Sequence, residues 1–121
     1  MPFARITSVQ FPAYQEAGKT VSGTVQVKNL LDPGTVGVYA WFWDGVNWRR
    51  VNTPNQWAYT NDIITFTLSF PMPLVNTNVV VISYSIPLLP LAVVSEDEQW
   101  GDIAILVGQA PQLQIVGLSY A

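Results

Sequence analysis

Four of the chain's eight carboxylates, Glu96, Asp97, Glu98 and Asp102, fall within the stretch SEDEQWGD. Hard oxygen ligands gathered so closely could surround a calcium ion. Their spacing fits no defined calcium loop, so a solvated acidic turn between strands is expected and no metal site is assigned. The same groups could cleave a glycoside only from opposed sides of a sugar ring, and a single stretch does not place them so. Residues 16–20, EAGKT, end like a phosphate-binding loop. The first glycine of that motif would stand where the chain has Ala13, and no helix-period segment follows, so Gly18 and Lys19 read as a turn before a strand.

The sequence contains neither Cys nor His. That removes thiolate and imidazole metal ligands, cysteine nucleophiles, histidine bases and disulfides together. No catalytic residue and no cofactor site is expected, and the chain reads as a non-enzyme. Its five cationic side chains, Arg5, Lys19, Lys28, Arg49 and Arg50, are scattered through a protein of net charge −3. They form no basic stripe, so nucleic acid is not an expected partner.

The remaining chemistry is aromatic. VGVYAWFWDGVNWRRV, residues 36–51, holds Tyr39, Trp41, Phe42, Trp43 and Trp48. In its first half the odd positions carry Tyr39, Trp41 and Trp43, while the even ones carry Val36, Val38, Ala40 and Phe42, so both faces are apolar. Asp44 and Gly45 mark the turn of a hairpin. A two-residue loop sets Trp41 opposite Trp48; a four-residue loop ending at Asn47 sets Trp43 opposite Trp48 and Phe42 opposite Arg49. In either register the tryptophans share a face with Trp48, and the row is expected to point inward at least in part. Trp43 and Trp48 lie near the hairpin tip, where a small domain has little core to offer. With Arg49, Arg50 and Trp57 they are the candidate partner contacts, because Trp and Arg carry a large share of interface energy. Stacking on a sugar ring is the rival use of these rings.

The elements that position these residues are strands. The chain has 121 residues, enough for one domain, and half of them are hydrophobic while only 11% are charged. Val21, Val25 and Val27 alternate with Thr20, Ser22, Thr24, Gln26 and Lys28; Ile64, Phe66, Leu68 and Phe70 alternate with Thr65, Thr67 and Ser69. Val80, Ile82, Tyr84 and Ile86 share one face of a further strand, and Ile103, Ile105 and Val107 one face of another. With an opening strand near residues 5–11 and the aromatic hairpin, about seven strands are separated by Pro, Gly, Asn and Asp clusters. The expected fold is an all-β antiparallel β-sandwich, with a small barrel as the alternative. The longest apolar run, residues 79–94, is too short to cross a bilayer comfortably and is interrupted by Pro87 and Pro90. It reads as strand, turn and strand, and no membrane partner is expected. MPFARITSVQ lacks the charged and apolar regions of a secretory signal.

The sandwich is assigned to residues 1–109. Residues 110–121, with Leu113, Ile115, Leu118 and Tyr120 at strand-like spacing, form either an extra strand of the same sheet or an arm that pairs with a neighbouring subunit. These four residues join the candidate partner contacts.

In order along the chain, ITSVQFPAYQEAGKTVSGTVQVKN, VGVYAWFWDG, ITFTLSFPMP, VVVISYSI and DIAILVG resemble the immunoglobulin-like cell-adhesion-related domain found in bacteria (CARDB-like). That β-sandwich module is common in surface proteins and similar to accessory domains of phage and viral particles. The resemblance implies an immunoglobulin-like fold, with Trp41 buried as the third-strand tryptophan of such domains is. Joined to the missing signal and the low charge, it implies a structural protein that decorates or cements a homopolymeric assembly, located in a virion and acting through protein contacts as a homo-oligomer. The alternative expectation is a carbohydrate-binding or adhesion module at a cell surface, using Trp43, Trp48 and Trp57.

Overall fold

A computed structural model describes residues 1–87 and 93–109. The expectations for Leu113, Ile115, Leu118 and Tyr120, and for a strand or arm over residues 110–121, lie outside the described residues. Among the described residues nine strands follow in order: β1 (Ala4–Gln10), β2 (Tyr14–Gln15), β3 (Thr20–Asn29), β4 (Gly34–Trp43), β5 (Trp48–Asn52), β6 (Gln56–Ala58), β7 (Ile63–Pro71), β8 (Thr77–Ile86) and β9 (Ser95–Val107). They form two sheets, β1-β3-β7 and β2-β9-β8-β4-β5, with β6 pairing farther along β4. Every pairing is antiparallel except the two-residue contact of β2 with β9. The chain is an all-β, immunoglobulin-like β-sandwich.

Alternation builds the smaller sheet. Val21, Val25 and Val27 of β3 point inward beside Phe66, Leu68 and Phe70 of β7, and all six are buried. From the larger sheet Val36, Val38, Ala40, Phe42, Val79, Val81 and Ile105 face them. The Phe42 and Phe70 rings stack across the interface with centroids 4.1 Å apart. Each large apolar side chain removed from water in this way contributes about 1.5–3 kcal/mol, which is what holds a domain without disulfides together.

Polar groups buried at the edges of this core are satisfied. Asn29, at the end of β3, donates through Nδ2 to the carbonyls of Asp32 and Ala58, and its Oδ1 accepts from the amides of Phe3 and Leu31. β1 pairs with β3 along one edge, and side chains of the other sheet cover the edge that is left. Ser83 and Ser85 donate to the carbonyls of Ala4 and Pro2 at 2.6 and 3.1 Å. Asp97 and Glu98 accept from the amides of Ala4 and Ile6 at 2.8 and 2.6 Å. Four side chains thus take the place of a backbone ladder between the sheets.

That arrangement corrects the reading of the acidic stretch. Residues 95–102 are the first half of β9, paired with β8, not a turn. The strand forms because its carboxylates find backbone donors on β1, so their weak strand preference is overridden by tertiary contacts.

Candidate ligand-binding face

In β4 the row of smaller side chains faces the core, so Tyr39, Trp41 and Trp43 face outward. This reverses the inward orientation expected for the tryptophan row and for Trp41 in particular. The reason is the pairing partner. Val79 and Val81 of β8 lie level with Phe42 and Ala40 on the inner face, while Val80 and Ile82 lie level with Trp41 and Tyr39 on the outer one. β8 therefore also places Val80, Ile82, Tyr84 and Ile86 on the outer face, half-buried.

The hairpin closes with the four-residue loop, and Trp43 is level with Trp48. Asp44 organises that loop, accepting from the amides of Val46 and Asn47 through Oδ1 and from Arg49 Nε through Oδ2 at 2.5 Å. These bonds hold the Asp44 carboxyl down at about 2, the backbone amide of Asn47 contributing most and the Arg49 side chain next.

The outer face carries an open cleft of about 400 Å³, walled by Trp41 and Trp48 on one side and by Val80, Ile82 and Gln99 on the other. Trp48 retains 47% exposure, and its ring meets Trp43 edge-on at 5.6 Å between centroids. Alongside, Tyr39 is packed between Trp41 and Tyr84, each 6.3 Å away. The Arg50 guanidinium lies over the Tyr39 ring, 3.8 Å from its centroid and 5.9 Å from that of Trp41. The Tyr39 hydroxyl donates to Glu96 on β9. Burial, then the hydrogen bond and charge of Glu96, push the Tyr39 phenol above its ordinary value.

Of the residues expected to meet a partner, Trp43, Trp48 and Arg50 come together here. Arg49 does not: it is level with Phe42 on the other side of β5 and reaches back to Asp44 at the end of the sandwich. Trp57 is level with Thr35, six residues along β4 from Trp41, or about 20 Å at strand rise. It shares the outer face with the cleft but pairs edge-on with Tyr59 at 5.9 Å and forms a separate patch. Sequence reasoning missed Val80, Ile82 and Gln99 as cleft walls, and Tyr39 and Glu96 as its supports. Nothing local signals them, because β8 and β9 reach β4 only through long-range pairing. Among the described residues, no group of three or more acidic side chains converges as a metal site would require. Glu96 faces outward to Tyr39, whereas Asp97 and Glu98 turn inward to β1. No described helix is long and apolar enough to cross a membrane.

The architecture is that of an immunoglobulin-like β-sandwich, and in this chain an aromatic cleft lies on the outer face of the larger sheet. No family model matches the sequence, and no curated protein does. Among solved structures it is similar to the C-terminal domain of wzt, with a TM-score of 0.67 at 11% identity over 94% of this chain and 78% of that one. It also overlaps the sporulation control protein Spo0M from Bacillus subtilis, with a TM-score of 0.47 at 14% identity over 91% of this chain and 51% of that one. The first likeness is one of fold.

Proposed function

We infer that the protein is a non-catalytic recognition module whose ligand is carbohydrate, held in the cleft of Trp41, Trp48, Val80, Ile82 and Gln99. The observation that carries this reading is that two tryptophans stand solvent-facing around a cleft, on a rigid sheet, when smaller side chains of the same strand fill the core. A pyranose has one face of C–H groups, which packs on an indole ring, and an edge of hydroxyls, which needs donors and acceptors. The walls supply the first need and Gln99 the second. Because the cleft rests on paired strands, little ordering would be required on binding. The test is a glycan array probed with the wild type and with Trp41→Ala and Trp48→Ala. Binding that both variants lose while keeping wild-type circular dichroism supports the reading; a wild type that binds no glycan overturns it.

A second reading is favoured by one feature, the aliphatic tips at the end of the sandwich. Val46 is 75% exposed in the β4–β5 loop and Leu74 is 84% exposed in the β7–β8 loop. An added Cβ at Gly45 would stand 3.1 Å from Val75, so the two loops adjoin. Adjacent exposed aliphatics suit a dry protein contact, as in a structural protein packed against neighbours in a virion or other homopolymeric assembly. Light scattering of the wild type and of Val46→Ser/Leu74→Ser checks it. A multimer that the double variant dissolves supports assembly, and a monomeric wild type at high concentration argues against it.

A further inference from the structure

We propose that Arg50 is an anion subsite at the edge of the aromatic cleft, selecting carbohydrates that carry a negative group such as a carboxylate or sulfate. The inference rests on the carbohydrate reading above and deepens it.

Three observations lead to it. Among the described residues the salt bridges are those of the Met1 amino group with Asp32 and of Arg49 with Asp44, so Arg50 has no carboxylate partner there. Its guanidinium is nevertheless fixed in place. Its Cζ lies over the Tyr39 ring, 3.8 Å from the centroid, and Nε donates to Asn52 Oδ1 at 2.8 Å. With Nε engaged, the two terminal nitrogens and their four N–H groups remain, which is the fork that grips a carboxylate or sulfate through two parallel bonds. Position is the third. Arg50 is level with Trp41 across the β4–β5 ladder and shares the outer face of β5 with Trp48 two residues away, about 7 Å along the strand. A sugar ring stacked between those tryptophans brings its substituents within reach of the guanidinium.

The carboxylate of Glu96, bonded to the same tyrosine, is not paired with this cation. Glu96 accepts from the Tyr39 hydroxyl, at the far end of the ring that Arg50 covers. That bond also fixes Tyr39 as the platform on which Arg50 rests. Stacking stiffens a side chain that would otherwise lose rotamer freedom on binding, so less is lost when an anion is gripped. A neutral glycan would use the cleft walls and Gln99; an acidic one would use Arg50 as well.

The experiment is a printed array of uronate-, sialate- and sulfate-bearing glycans beside neutral counterparts of the same backbone, followed by titration of the tightest acidic and neutral pair. The wild type should prefer the acidic member by roughly tenfold at low salt, the scale of one charge-assisted hydrogen bond, and the preference should shrink as salt is raised. Arg50→Gln should abolish the preference while keeping neutral binding, and Trp48→Ala should weaken both members alike. Equal binding of acidic and neutral members, or a preference that survives Arg50→Gln, overturns the anion subsite and leaves the carbohydrate reading standing. A wild type that binds nothing on the array overturns both.

Discussion

The amide of Ala4 donates to the Asp97 carboxylate at 2.8 Å, joining residues ninety-three positions apart and closing one side of the sandwich. Glu98 does the same for Ile6 at 2.6 Å. Removing an acceptor leaves a partly buried N–H without a partner, at about 1–3 kcal/mol. Asp97→Ala should therefore lower the stability measured by urea unfolding by that amount, and Asp97→Ala/Glu98→Ala should lower it further. Lys28→Ala on the paired edge of β1 and β3 is the control and should change little. A double variant as stable as the wild type would show that the two carboxylates do not hold β1.

These carboxylates also mark where the sequence stops being informative. β3 and β7 are legible because one row is Val or Phe and the other Thr or Ser, so the buried face declares itself. β4 is apolar on both rows, and alternation cannot choose between them. In β8 the pattern misleads outright, since the larger Val80, Ile82 and Tyr84 face outward while Ser83 and Ser85 are buried. The serines are inside because their hydroxyls donate to Ala4 and Pro2, partners some eighty residues away. The acidic start of β9 looks like a turn for the same reason: its carboxylates are strand-compatible only once β1 lies beside them. Within the candidate site, the choice of Trp43, Trp48 and Arg50 followed from residue type and hairpin geometry. The opposite wall depended on the β4–β8 register, which no local pattern encodes.

The close approach at Gly37 gives a second test. A Cβ there would fall 2.4 Å from the Tyr84 ring, so the ring must lie across the glycine. Gly37→Ala should displace Tyr84 from its packing beside Tyr39 and cost about 1–3 kcal/mol by the usual penalty for overfilling a packed site. Pairing it with Tyr84→Ala should recover part of that loss, because the clash is gone. A double-mutant cycle with no coupling between the two would contradict the geometry.

Tyr39 should ionise above the ordinary tyrosine value in an alkaline titration. Its phenol is raised first by burial and then by Glu96, so folding favours the neutral form. That contribution is complete below 10.0, the ordinary value, and is lost as pH climbs through the higher folded one. Absorbance titration should show a tyrosine step above the ordinary value, and Tyr39→Phe should delete that step. Glu96→Gln removes a negative neighbour and should bring the step earlier. A late step that persists in Tyr39→Phe would assign it elsewhere.

At the hairpin tip the sign runs the other way. The Asp44 carboxyl sits at about 2 against an ordinary 3.8, because the amide of Asn47, the Arg49 side chain and the amide of Val46 all bond its charged form. Folding thus favours the carboxylate, and the gain is present above 3.8 and disappears as pH falls from there through 2. Asp44→Ala should melt at a lower temperature than the wild type near neutral pH, and the gap between the two should narrow steadily across that acid interval. Raising salt at neutral pH should narrow it only in part, since screening weakens the Arg49 pairing but leaves the two backbone bonds intact. A gap that stays constant from neutrality to the lowest pH would mean that the loop is held by its backbone geometry and not by the charge. If the gap closes, the tip that carries Trp48 into the cleft is fixed by a single ionised side chain.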